Sequence, residues 1–310
     1  MEKDFVIIGG GIAGLSAAQY GARSNMETLV IEEMAPGGQA LLIADLENYP
    51  GFPEPVNGFE FSMDMHKQAQ KFGAEFLTAS VKSIKKENGL FTVETSKETI
   101  TAKTVLIATG AKHRHLDVPG EGEFSGKGVS YCATCDGPFF KGKKMLVVGG
   151  GDAACDEANY LANLTDKVVM IHRRDRFRAQ KAVADKVLRN PNIEVRFNTV
   201  VAEIKGDETK MNTVSLTRTD TNETIDEKFD AVFVFVGSIP QTQLVPYLDK
   251  DEAGYIKTTS HMETSEEGMY AAGDVRDTPF RQIIVAASDG AIAAHNAAAY
   301  IDDLKGEAYI

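Results

Sequence analysis

The sequence predicts an α/β fold made of two units of one design, the second inserted into the first. Three observations carry this expectation. A strand, a G-x-G-x-x-G loop, a helix and a second strand open the chain at residue 5. The same order returns 140 positions later, and a C-x-x-C pair, Cys132 and Cys135, lies between the two glycine loops.

Residues 5–8 form a short apolar strand, followed by Gly9, Gly11 and Gly14 with Ile12 and Ala13 between the last two, then an alanine-rich helix over 15–22. A strand over 28–31 ends at Glu32 and Glu33. The first glycine turns the chain, the second lets backbone approach a pyrophosphate, and the third lets helix and strand pack closely. The helix start faces the phosphates, and the acid 18 positions after Gly14 accepts hydrogen bonds from ribose hydroxyls. Adding 140 maps the glycines onto Gly149, Gly151 and Ala154 without a gap, residues 5–8 onto 145–148, and Tyr20 onto Tyr160. It maps Glu32 onto His172, which opens His172-Arg173-Arg174-Asp175-Arg176-Phe177-Arg178. Cations there suit a 2′-phosphate, which arginine grips through planar, bidentate hydrogen bonds. The first site is therefore expected to take an adenosine with a free 2′-hydroxyl and the second NADPH; the competing reading is a solvated charged face.

Between the two units come Pro36-Gly37-Gly38-Gln39, a helix over 58–72, and strands near 76–81 and over 90–95. A buried strand over 104–110 ends in Ala108-Thr109-Gly110-Ala111, and its counterpart over 231–237 leads into Ser238-Ile239-Pro240. The segments 114–128 and 238–246 are rich in Gly, Pro and polar residues and read as crossings between domains. The expected domains are 1–114 with 243–310, and 115–242. A strand over 269–272 exits at Gly273-Asp274, and a small-residue helix over 281–300 closes the chain. The expected architecture is thus two Rossmann-like dinucleotide-binding domains, each a three-layer ββα stack.

Composition excludes several function classes. The 310 residues carry 45 acidic against 33 basic side chains, a net charge of −12, which disfavours nucleic acid or an anionic membrane surface as the main partner. No apolar run is long enough to span a bilayer. The opening residues run into a strand with no charged n-region and apolar h-region before it, and a cytoplasmic location is expected. Three cysteines, two of them closely spaced, suit a reducing compartment better than a disulfide framework.

A C-x-x-C is either half a zinc site or a redox dithiol. Zinc needs four ligands; the one other cysteine, Cys155, lies inside the second dinucleotide helix, and His113 and His115 are the nearest imidazoles. A redox pair with no metal is expected. Cys155 takes the slot of Leu15 and reads as a small buried hydrophobe. Asp136, next to Cys135, caps a turn or serves as an acid for a leaving thiolate or flavin nitrogen. Phe139-Phe140 reads as docking surface or as core.

Taken together, these motifs resemble the low-molecular-weight thioredoxin reductases, FAD- and NADPH-dependent class-II pyridine nucleotide-disulfide oxidoreductases, over essentially the whole chain. The carriers are the Gly9–Gly14 loop, Pro36-Gly37-Gly38-Gln39, Glu47-Asn48-Tyr49-Pro50-Gly51, Cys132-Ala133-Thr134-Cys135-Asp136, the His172–Arg178 run and Gly273-Asp274 with Arg281-Gln282. The resemblance implies FAD in the first site, NADPH in the second, a homodimer, and thioredoxin as protein substrate. It implies FAD contacts from Glu32, Gly38, Gln39, Asn48 and backbone at Val81 and Ala111, with Glu33 and the strand end Ala108-Thr109-Gly110 in the same site. Gly273-Asp274 would hold the ribityl and phosphate part, and Arg281, Gln282 and Ile283 the isoalloxazine. Asp152, Ala153 and Ala154 would join the NADPH phosphate loop, His172, Arg173, Arg174 and Arg178 would bind the 2′-phosphate, and Gly237 and Ile239 would flank the nicotinamide half. Electrons would pass from NADPH to FAD, to the Cys132–Cys135 disulfide and on to oxidised thioredoxin by thiol–disulfide exchange, the two domains rotating between half-reactions. Cys135, nearer Asp136, is the expected flavin-facing sulfur; which sulfur attacks the partner stays open.

Tyr49 and Gln241 depart from the common Trp and Asn of the family. Larger disulfide reductases carry cysteines after the first fingerprint, where Pro36–Gln39 has none. The competing readings are a reductase of another dithiol protein, glutaredoxin-like or peroxiredoxin-linked, and a non-catalytic nucleotide sensor. Relatives fed by ferredoxin or passing electrons to oxygen have no need of the arginines.

Overall fold

The computed structural model of the chain describes residues 2–43, 46 and 48–306; Glu47 of the E-N-Y-P-G stretch lies outside the described residues. The chain divides into two compact units, Met1–Lys112 with Ile239–Ile310, and His113–Ser238. The boundaries read from sequence, 114/115 and 242/243, fall two and four residues further on.

The first unit opens with β1 (Glu2–Ile8), α1 (Ile12–Arg23), β2 (Thr28–Glu32), α2 (Gly58–Lys71), β3 (Glu75–Thr78), β4 (Val81–Glu87), β5 (Leu90–Thr95) and β6 (Thr99–Ile107). Asn57 starts α2, its side chain accepting the Phe59 and Glu60 N–H groups, which an N-cap must satisfy. The strands lie in the order β3-β2-β1-β6-β5-β4, parallel from β3 to β6 and antiparallel beyond. The single strand expected near 76–81 is two: β3 stops at Thr78, and Val81 opens β4. Asn88 (φ 52°) and Gly89 (φ 82°) form the tight turn of the β4–β5 hairpin, the left-handed pair that such turns require.

The second unit carries β7 (Val129–Ser130), α3 (Ala133–Asp136), β8 (Met145–Gly149), α4 (Asp152–Leu161), β9 (Val168–Ile171), α5 (Lys181–Arg189) and β10 (Ile193–Arg196). An antiparallel group follows, β11 (Thr199–Gly206), β12 (Met211–Arg218) and β13 (Thr224–Lys228), and then β14 (Ala231–Phe235). Its parallel sheet runs β10-β9-β8-β14-β7. The chain then returns to the first unit with β15 (Met269–Ala271) and α6 (Ile283–Lys305). β15 pairs with β6 at Val105–Ile107, beyond the stretch taken by β5.

Both units are three-layer stacks because their parallel strands are apolar on both faces. In the first, Phe5, Ile7, Val30 and Leu106 face alanines of α1 and α6, while Val6, Ile8, Leu29 and Ile107 face Ile84, Phe91 and Val93 of the antiparallel strands. In the second, Met145, Val147 and Met170 face α4, while Leu146, Val148 and Ile171 face Ile204, Val214 and Leu216. Each such large side chain taken fully out of water contributes about 1.5–3 kcal/mol. Among the described residues no helix is long and apolar enough to cross a membrane.

Candidate active site

The first glycine loop is built by close approach. Gly9 has φ +105°, and a Cβ there would lie 2.5 Å from the Ala108 carbonyl oxygen. A Cβ on Gly14 would lie 2.0 Å from the Gly9 carbonyl oxygen, so helix and loop meet only without one. Gly11 caps α1 in an extended conformation with no side-chain hydrogen bond, and the space where its Cβ would stand is open. The helix therefore presents the unpaired N–H groups of its first turn to that space, the arrangement that receives phosphate. Glu32, at the end of β2, accepts the Gly10 N–H through Oε2 at 2.7 Å and the Met34 N–H through Oε1 at 3.0 Å, which holds its carboxylate beside the loop. Glu33 is exposed next to it.

Other predicted residues gather at this loop. Gly38 (φ +57°) stacks on Gly11, with its would-be Cβ 3.1 Å from the Gly11 Cα. Gln39 donates through Nε2 to the Ala111 carbonyl. Thr109 donates to the Gln241 carbonyl at 2.6 Å, and Gly110 takes a left-handed turn (φ +66°) whose carbonyl accepts the Gln241 N–H. Gly273 (φ +74°) sits against Ala13: a Cβ on it would lie 3.0 Å from the Ala13 Cβ. Asn48 donates to Gln282 Oε1 at 3.0 Å, and the Arg281 guanidinium lies 4.0 Å above the Tyr255 ring. Burial, aided by Asp289, raises the Asp274 carboxyl, and Arg281 opposes the shift. Val81 pairs with Thr95 at the start of β4, and Ile283 begins α6.

The second loop repeats this plan. A Cβ on Gly149 would lie 2.5 Å from the Phe235 carbonyl oxygen and 2.6 Å from the Ala154 Cβ. Gly151 caps α4 without a side chain and faces open space, as Gly11 does. Asp152 and Ala153 are exposed in the first turn, where Asp152 Oδ1 accepts the Gln180 N–H at 2.7 Å. His172 lies under the loop: a Cβ on Gly150 would be 2.3 Å from its Nδ1. Its Nε2 is buried and has no partner among the described residues, and burial, with Arg173, Arg174 and Arg178, holds the imidazole below its usual pKa. The Arg178 N–H donates to the Gly150 carbonyl at 2.6 Å, so the run folds back onto the phosphate loop. Arg173, Arg174 and Arg178 are exposed, and among the described residues none forms an ion pair. Uncompensated cations and an orphaned buried imidazole nitrogen beside an open helix start fit a phosphorylated nucleotide. Gly237 (φ +106°) belongs to this unit, its carbonyl accepting the Arg114 N–H, whereas Ile239 opens the returning segment of the first.

The dithiol sits at the start of α3. Cys132 and Cys135 are bonded, with Cα atoms 5.4 Å apart. Cys132 is the extended N-cap, and its Sγ accepts the Cys135 N–H at 3.3 Å and lies 3.4 Å from the Thr134 hydroxyl. Ser130 organises both ends: its Oγ accepts the Cys132 N–H at 3.1 Å and donates to Asp136 Oδ2 at 2.6 Å. Gly137 lets α3 rest on α4, since a Cβ there would lie 2.7 Å from Leu161 Cδ2. Cys155 is fully buried and its thiol is pushed up to about 11 by burial and by Asp152 and Asp156. Phe139 is exposed, whereas Phe140 packs edge-on against Phe233.

Three features were not read from the sequence. Ser130 is one; a serine two before the first cysteine, six before an acid, was its only trace. Another is Tyr131, whose hydroxyl donates to buried Glu121 at 2.8 Å, so the His115 Nδ1 at 2.8 Å must donate to it. Burial and Glu121 raise that phenol. The last is Glu157 of α4, whose Oε2 is buried without a partner among the described residues and whose carboxyl is raised to about 7 by burial and by Asp156.

The family profile described as pyridine nucleotide-disulphide oxidoreductase matches residues 3–290. The chain is 55% identical over 307 residues to a thioredoxin reductase of Treponema pallidum, covering 98% of this chain and all of that one. It is 43% identical to the thioredoxin reductase of Bacillus subtilis, over 97% of this chain and 96% of the relative. The crystal structure of thioredoxin reductase from Streptococcus pyogenes matches with a TM-score of 0.87 at 43% identity, over 97% of this chain and 99% of that chain.

Proposed function

The chain belongs to the pyridine nucleotide-disulphide oxidoreductase family, in its low-molecular-weight thioredoxin reductase branch that uses FAD and NADPH, and we propose how its residues divide that work. The first unit takes FAD, on the Gly9–Gly14 loop, Glu32, Gly38, Gln39, Gly273 and Asp274. The second takes NADPH, on the Gly149–Ala154 loop with His172, Arg173, Arg174 and Arg178. The protein works in the cytoplasm as a homodimer. When bound, these two groups supply the two electrons that open the disulfide.

The observation that carries the reading is the bonded Cys132–Cys135 pair at a helix start, in the unit that also bears the unpaired arginines. Two electrons and one proton convert the S–S bond into one thiolate and one thiol, and the second proton of the overall reduction reaches the released thioredoxin thiolate from solvent. Cys132 is left as the thiolate, because the Cys135 N–H and the Thr134 hydroxyl aim at its sulfur. Asp136, anchored through Ser130, takes and returns the proton of Cys135. The Cys132 thiolate attacks the thioredoxin disulfide, forming a mixed disulfide and releasing one thioredoxin thiolate. Cys135, deprotonated, then attacks Cys132, which restores the pair and frees dithiol thioredoxin.

An anaerobic visible titration tests this. The purified protein is expected to be yellow, to bleach with NADPH and to recover with oxidised thioredoxin. The double variant Cys132→Ser/Cys135→Ser is expected to bleach and not recover. Recovery by that variant would sink the dithiol route, and no bleaching of the wild type by NADPH would sink the arginine assignment.

A further inference from the structure

The middle of α6 holds a buried charge that the reaction does not use. Asp289 stands among Ala287, Gly290, Ala293 and Ala294 with 4% of its surface exposed. A carboxylate in an apolar helix face is costly unless paired and hydrogen-bonded. Its Oδ2 accepts the Gly273 N–H at 3.2 Å and Arg276 Nη1 at 3.1 Å. Arg276 is itself mostly buried and donates through Nε to Thr258 Oγ1 at 2.6 Å, and its N–H returns to the Gly273 carbonyl at 3.1 Å. One carboxylate oxygen therefore ties α6 to both ends of the Gly273–Arg276 turn.

The next residue, Gly290, fixes the same helix to α1. A Cβ there would lie 2.1 Å from the Ala13 carbonyl oxygen, and the Ser16 hydroxyl donates to the Ala287 carbonyl at 2.6 Å. Gly273 touches Ala13 from the other side. Three backbone segments thus meet at Ala13: the first turn of α1, the left-handed turn at Gly273, and the second turn of α6. Only the turn lacks a regular backbone ladder to hold it, and glycine at φ +74° leaves it conformationally free unless contacts fix it.

We propose that Asp289 and Arg276 are positioning residues for the cofactor of the first unit, their buried pair holding the Gly273–Asp274 turn against the phosphate-binding start of α1. This rests on the reading that the first unit takes FAD. The pair acts through backbone; neither side chain is assigned a contact with the cofactor. An apolar pair of the same volume would fill the space equally well, so the ion pair serves direction rather than packing.

The test is FAD release from the full-length holoenzyme, followed by flavin fluorescence on dilution, for Asp289→Ala, Asp289→Asn, Arg276→Met and the double variant Asp289→Ala/Arg276→Met. FAD affinity is expected to fall roughly 30-fold in Asp289→Ala, about tenfold in Arg276→Met, and less in Asp289→Asn, which keeps an acceptor for the Gly273 N–H. The double variant is expected to match the worse single variant, because the two residues act as one unit. NADPH binding and the melting temperature of the FAD-stripped protein are measured alongside; NADPH binding is expected to hold throughout, and the stripped double variant, which leaves no unpaired buried charge, is expected to melt with the stripped wild type. Wild-type affinity in Asp289→Ala, independent losses in the double variant, or a loss that merely tracks a lower melting temperature of the stripped protein would each overturn the proposal. Should Asp289→Ala fail to fold, Asp289→Asn and Arg276→Met decide by the same criteria. A wild type that binds no FAD would instead overturn the FAD reading itself.

Discussion

The two units share one strand–loop–helix–strand plan 140 residues apart, and they part company at four slots within it. The third glycine is Gly14 in one and Ala154 in the other. The residue beneath the middle glycine is Glu32 in one and His172 in the other, and each is placed by the same contact: a Cβ on Gly10 would meet Glu32, one on Gly150 His172. Further along the helix, Leu15 and Ala17 of α1 correspond to Cys155 and Glu157 of α4. On the proposed assignment the backbone of each loop grips a diphosphate and the side chain that ends the second strand selects the ribose, which is how one scaffold would serve two nucleotides.

The largest expected effect tests the first slot. Gly14→Ala puts a methyl 2.0 Å from the Gly9 carbonyl oxygen, a backbone atom that has no room to move while β1 and α1 stay packed. It is expected to destabilise the first unit by about 3 kcal/mol and to strip FAD, read by calorimetry and visible absorbance. Ala154→Gly is expected to cost only about 1 kcal/mol, the helix penalty of glycine. Equal costs would mean that the two loops are not packed alike.

Next comes the ribose slot. Arg173→Gln/Arg174→Gln removes two charge-assisted interactions worth about 1.5–3 kcal/mol each, so KM for NADPH is expected to rise by roughly 100-fold or more while KM for NADH stays put. Steady-state kinetics with both nucleotides decides. Glu32→Gln is expected to leave that preference untouched and to weaken FAD instead; a shift in nucleotide preference there would break the assignment of the two halves.

Much of this was legible because glycine spacing is imposed by backbone contact, and contact at that range leaves no choice of residue. Glu32 and His172 followed from the same register. The hairpin at Asn88-Gly89 carried a clear turn dipeptide, yet β4 was missed because only Ile84 of its seven residues is buried, leaving no alternation to read. The antiparallel group β11–β13 went unread for a similar reason: β13 is charged and largely exposed. Ser130 acts on partners two and six residues on, and Glu121 and Asp289 on partners ten to sixteen residues away, at spacings that follow no helix or strand period. A polar residue's partner across a loop has no period in sequence.

The fourth slot separates Glu157 from Ala17. Ala17 is fully buried in α1, while α4 places a carboxyl in the corresponding position. Burial raises Glu157 from 4.5 to about 7, so the folded state holds its proton more tightly than the unfolded chain. The stabilisation is full below pH 4.5 and is lost as pH rises through about 7, a change on the order of 3 kcal/mol. Denaturant unfolding of the wild type is expected to show the second unit weakening over that window, and Glu157→Gln to flatten the curve. An unchanged pH dependence in Glu157→Gln would place the titrating group elsewhere.

The smallest effect belongs to Cys155, the counterpart of Leu15. Both side chains are fully buried, one a thiol and one an isobutyl group, so the slot asks for apolar volume and nothing more. With the thiol pushed up to about 11, it stays protonated at neutral pH and is a poor nucleophile. Cys155→Ala is expected to cost about 1–2 kcal/mol for the lost sulfur and to leave thioredoxin turnover unchanged. Thiol counting sharpens the contrast: the NADPH-reduced native protein is expected to react at two thiols, and at a third only when unfolded. A third reactive thiol in the native state, or turnover lost with Cys155→Ala, would give α4 a chemical role that α1 lacks and would end the equivalence of the two helices.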